Sequence, residues 1–144
     1  MEGQKMEITA NAIQTVAENQ NVLFTDDVVC GSCSIIHRDG SGLVTLKGVT
    51  NQCRARFKVS FGGNVAIPAG GAVEPISLAI SIDGEPIAST TMIVTPAAVS
   101  NFWNVFSAIF IEIPQGCCSS IGVRNLTGAA IEVQNANLIV ERVA

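Results

Sequence analysis

The chain has 144 residues, a formal net charge of −4, and 14% charged against 48% hydrophobic residues. That length suits one domain with a substantial core, the acidic balance disfavours a nucleic-acid partner, and no uncharged apolar run reaches the roughly eighteen residues of a membrane-spanning helix. So few charges cannot cover a monomer of this size, so the expectation is an obligate oligomer that hides apolar surface against copies of itself.

Residues 1–10 read as a polar N-terminal arm suited to docking on a neighbour, and residues 11–144 as a single domain. The opening stretch MEGQKMEITANA has no basic segment followed by an apolar one. Synthesis in a cytoplasm without a signal peptide is therefore expected. Ala12 to Ala17 and Asn21 to Thr25 are short strand candidates, Ser34 to Arg38 is another, and the turn from Asp39 to Gly42 leads into Leu43 to Gly48. In Cys53 to Phe61, Ala55, Phe57, Val59 and Phe61 share one face, while Arg54, Arg56, Lys58 and Ser60 share the other. This period of two is the signature of a strand. Gly62-Gly63-Asn64 permits a kink or bulge after it.

Pro75 to Ile82 sends Ile76, Leu78, Ile80 and Ile82 inward. Asp83-Gly84 is the strongest hairpin signal in the chain and leads into a strand over Pro86 to Val94. Thr95 to Asn101 is a connector with room for a single helical turn. From Val105 to Ile113 both faces are apolar: Val105, Ile109, Ile111 and Ile113 on one, Phe106, Ala108 and Phe110 on the other, with Glu112 beside them. A strand apolar on both sides is buried on both sides. The final run ends the same way, with Leu138 and Val140 opposite Ile139, Glu141 and Val143. About ten short strands with no helix-period segment point to an all-β sandwich, and a jelly roll accommodates that strand number.

The segments GLVTLKG, FKVSFGGNVAIPAGG, PISLAISIDGEPIAST, NVFSAIFIEIPQG and IEVQNANLIVERV follow one another in an order that resembles the tumour-necrosis-factor/complement-type jelly roll. The nearest resemblance is to small bacterial and phage-encoded members. It covers residues 11–144 and includes Val133-Gln134-Asn135-Ala136 before the last strand. The resemblance implies a homotrimer whose inner sheets meet around a threefold axis, with the C-terminal strand central in that sheet. It implies no enzyme activity. The role it suggests is structural, in a phage particle (capsid decoration, head fibre or tail-associated) or on a bacterial surface, among other virion or surface proteins. The alternative is a module gripping a glycan or host protein with its loop end. The chain lacks tyrosine, so the family's aromatic ligand positions do not carry over.

With the family's strand order, Cys53–Phe61 lies between the last strand and Val105–Ile113. The trimer interface would then comprise Phe106, Phe110, Ile139 and Val143 with Arg56, Glu112 and Glu141, its charges paired across strands. Five cysteines form the other cluster. Cys30 and Cys33 have metal-ligand spacing. The resembled topology brings the loops of Cys53, Cys117 and Cys118 to one end of the sandwich. A structural zinc, a disulfide within or between subunits, and free thiols are the three alternatives. His37 is the only histidine and is expected on a strand surface with no nucleophile beside it. Asn125-Leu126-Thr127 matches a glycosylation sequon. Phe102 and Trp103 are expected to pack beneath the connector, an exposed aromatic patch being the alternative.

Overall fold

The computed structural model describes residues 5–29, 34–38 and 40–143. The described residues form twelve β-strands and one short 3-10 turn: β1 (Lys5–Ala10), β2 (Gln14–Val16), β3 (Asp26–Val29), β4 (Ile35–His37), β5 (Val44–Lys47), β6 (Arg54–Ala66), β7 (Ile76–Ile82), β8 (Glu85–Pro86), β9 (Met92–Val94), β10 (Trp103–Pro114), β11 (Cys118–Asn125) and β12 (Ile131–Arg142), the 3-10 turn lying at Ala88–Thr90. They make two sheets, antiparallel throughout. The front sheet runs β10-β6-β12-β1-β3 with β2 also on β12; the back sheet runs β4-β5-β11-β7-β8 with β9 also on β7.

Alternation dictates which side chains enter the space between the sheets. Ala55, Phe57, Val59 and Phe61 of β6, Leu138 and Val140 of β12, and Ile111 and Ile113 of β10 are buried against Leu46, Leu78, Ile80, Ile121 and Val123 of the back sheet. Phe24, between β2 and β3, meets Phe61 edge to face, with ring centroids 6.4 Å apart. This is the favoured geometry for two quadrupoles.

The C-terminal strand β12 is central, with β6 on one side and β1 and β2 sharing the other. The strands read at β6, β7, β10 and β12 are present, and Asp83 and Gly84 take φ of 51° and 85° in the β7–β8 hairpin, but β10, expected to be buried on both sides, leaves Phe106 and Phe110 exposed in the single chain. Two further readings need correction. The arm expected over residues 1–10 is, from Lys5 to Ala10, a strand paired with β12 from Ala136 to Glu141. Met6, Ile8 and Ala10 enter the core, so burial of this chain's own core fixes the segment. The strand expected over Pro86–Val94 is split by the 3-10 turn, where the Thr90 hydroxyl donates to the Ile87 carbonyl at 2.7 Å. The kink or bulge that Gly62–Asn64 permits does not interrupt β6, which continues to Ala66. The irregularity lies in the partner β12 instead, where the register shifts between Gln134 and Asn137 and Asn135 adopts φ 53°. Gly63 allows that approach: a Cβ there would stand 3.3 Å from the Cα of Ala136.

Candidate functional site: the outward face of the front sheet

The side of β6, β12 and β10 that faces away from the core carries the residues the sequence singled out. Register sets them in rows. Phe106 stands beside Gly62 and then Asn137. Ala108 stands beside Ser60 and then Ile139. Phe110 stands beside Lys58, Glu141 and Lys5. Glu112 stands beside Arg56, whose carbonyl accepts from the Val143 N–H at 2.9 Å. Phe106, Phe110, Ile139 and Val143 thus share one face with Arg56, Glu112 and Glu141. In the single chain that face is open: Phe106 is 66% exposed and Phe110 60%, with Ile139 and Val143 near 40%. Phe110, Val143, Arg56 and Glu112 line a shallow groove at its lower end.

Glu112 receives two guanidinium groups. Arg54 Nη1 donates to Oε1 at 2.8 Å, and Arg56 donates to Oε2 from Nη2 at 2.8 Å and from Nε at 3.1 Å. The bonds from Arg56 and then from Arg54 hold the Glu112 carboxyl below its ordinary range. The same bond to Glu112 lifts the Arg54 guanidinium above its own. Charge-assisted forks of this kind fix geometry as well as energy. Glu141, expected as a further partner of the basic row, stands next to Lys58 in register, yet no ion pair joins them among the described residues.

The cysteine cluster is only partly in view. Cys53, Cys117 and Cys118 are free and exposed. Their loops do meet at one end, where the Gln115 N–H donates to the Cys53 carbonyl and the Gly48 N–H to that of Cys117. Among the described residues no three Cys, His, Asp or Glu side chains come together as metal ligands; Cys30 and Cys33 lie outside the described residues.

His37 departs from its expected surface position, for its side chain is fully buried. Nε2 donates to the Ser41 carbonyl at 2.9 Å and Nδ1 meets Asp27 Oδ1 at 2.7 Å. A carbonyl can only accept, so Nε2 carries a proton. Asp27 belongs to β3 and His37 to β4, so the pair ties an edge of the front sheet to an edge of the back sheet. The partner is ten positions away, and alternation within either strand does not reveal it. Asn125 of the sequon is also fully buried. Its amide donates to the carbonyls of Val16, Ala17 and Ala129, and its oxygen accepts from the Thr127 N–H. It serves as a core bracket and offers no amide to a glycan. Trp103, at the start of β10, is 46% exposed and Phe102 is half-buried.

At the level of sequence, neither a protein-family model nor a curated protein matches the chain. Solved structures do. Eiger TNF from S. frugiperda superposes with a TM-score of 0.73 at 11% identity, covering 98% of this chain and 92% of that one. The globular domain of zebrafish complement 1qA protein gives 0.65 at 10% identity, over 97% and 95%. Murine APRIL gives 0.64 at 10% identity, over 96% and 99%. The fold is the tumour-necrosis-factor/complement-type jelly roll. In this jelly roll the front sheet presents the open apolar face and the back sheet presents Ile93 and Ile36 singly on short edge strands. No helix among the described residues is long and apolar enough to cross a membrane.

Proposed function

We infer that the protein is a non-enzymatic, self-assembling module, a homotrimer whose front sheets meet around a common axis. One observation carries this reading. Two phenylalanines on the edge strand β10, and an isoleucine and a valine on or just beyond β12, stand exposed on the outward face of a sheet whose other face is already core. Exposed apolar residues scattered singly need no explanation, whereas several grouped on one face mark a contact surface. The fold supports the same reading. Native mass spectrometry tests it: the expected ion series corresponds to three times the 15.0 kDa of one chain, and a series at one chain mass refutes it.

Within that reading the trimer is a structural component of a phage particle or a bacterial surface. Its support is the resemblance of the strand segments to small bacterial and phage-encoded members. Immunogold electron microscopy of the source material tests the location, with label on particles or envelopes expected and diffuse cytoplasmic label refuting it. Exposed Trp103 favours a second use, binding of a glycan or host protein by the assembled trimer. A glycan array with the wild type and Trp103→Ala decides that use.

A further inference from the structure

The open face carries more than apolar side chains, and its charges are unevenly committed. Glu112 is occupied within its own chain by Arg54 and Arg56. The row above it runs Phe110, Lys58, Glu141, Lys5 across β10, β6, β12 and β1. Directly opposed residues on adjacent strands are close enough for a salt bridge. Lys58 and Glu141 are so opposed and both exposed, yet no ion pair joins them among the described residues. The row therefore holds Lys58 and Glu141 beside the Phe110 ring, with Lys5 beyond Glu141, and none of the three is joined in an ion pair among the described residues.

Burying this face against another copy strips water from both charges. A charge buried without a partner is strongly unfavourable, so a face that assembles must supply one. A rotation axis does so with no additional residue. In a ring of copies related by a rotation axis, every protomer offers the same two charges to its neighbour, so Lys58 of one copy can meet Glu141 of the next. Resting on the trimer reading above, we propose that Lys58 and Glu141 form ion pairs between protomers, an alternating ring of charge that selects a second copy of this chain as the partner and sets the rotation between copies. The apolar residues supply the adhesion; this ring supplies the register and rejects misaligned docking.

Charge swaps test it. Lys58→Glu and Glu141→Lys each set like charges against one another, and each raises the trimer dissociation constant by about tenfold or more. The double variant Lys58→Glu/Glu141→Lys recovers assembly. The deciding arm is an equimolar mixture of the two single variants, followed by native mass spectrometry with one of them isotope-labelled. Pairs between chains produce mixed trimers in excess of either homotrimer. If the double variant assembles and the mixture does not, the pair acts within one chain and the proposal is overturned. A wild-type trimer indifferent to both single swaps overturns it too, while the trimer reading stands. A monomeric wild type overturns the trimer reading itself.

Discussion

Replacing Phe110 by Ser separates adhesion from folding. Phe110 is 60% exposed in the single chain, so it contributes little to the stability of one protomer. Surface changes of this kind stay within about 0.5 kcal/mol. Covered by a neighbour, the ring is worth much more. A phenylalanine presents about 200 Å², so three-fifths of it is roughly 120 Å². At about 25 cal/mol per Å² that is ~3 kcal/mol for each ring buried, and three rings per assembly make ~9 kcal/mol. The expected outcome is an assembly that dissociates at much higher concentration than the wild type. The melting temperature of the separated chain should move by no more than about 2 °C. Light scattering over a dilution series, with circular dichroism on the dilute samples, reads both quantities. A variant that keeps the wild-type mass down to nanomolar concentration refutes the assignment of this face. A variant that unfolds as a monomer shows that the ring supports the core.

Three further outcomes follow from the geometry. Asn125→Ala removes an amide that serves three buried or half-buried carbonyls and an oxygen that serves Thr127, and should cost about 2–4 kcal/mol in urea unfolding; the wild type, passed through a glycosylating secretory pathway, should gain no glycan at Asn125 when intact mass is measured. Glu112 is held below its ordinary value of 4.5, so its stabilising contact is present above that value and disappears as pH falls through the folded one; the stability difference between wild type and Glu112→Gln, measured by thermal melts, should shrink toward zero as the pH drops below 4.5 and stay constant above about pH 6. Gly48→Ala should abolish soluble expression or sharply lower the melting temperature, because its Cβ would stand 2.1 Å from the backbone oxygen of Pro114, and backbone cannot rotate away as a side chain can.

Strands were legible wherever alternation ran long. β6, β7 and β10 each repeat an apolar position four times, and β12 repeats one at Ala136, Leu138 and Val140 within a longer apolar run; that periodicity fixes both the element and the face turned to the core. The outward residues of the front sheet followed directly, because β6 and β10 place Arg56 and Glu112 on the same parity as Lys58 and Phe110. β1 was harder to read. Met6, Ile8 and Ala10 alternate with Lys5, Glu7 and Thr9, but three apolar positions next to a polar start resemble a tail until β12 supplies the ladder. His37 was illegible for a different reason. Its burial depends on Asp27 and Ser41 converging from a separate strand and a turn, a tertiary fact with no local period. The β12 irregularity was displaced by one strand, since glycines on β6 make room for a bulge without adopting it.

The proposed trimer conceals the remaining apolar surface of this fold by sharing it among three copies. Sedimentation velocity of the wild-type chain at nanomolar concentration tests it most directly. A single boundary at three times the 15.0 kDa chain mass, persisting on dilution, is expected. A stable, folded species at one chain mass would contradict it.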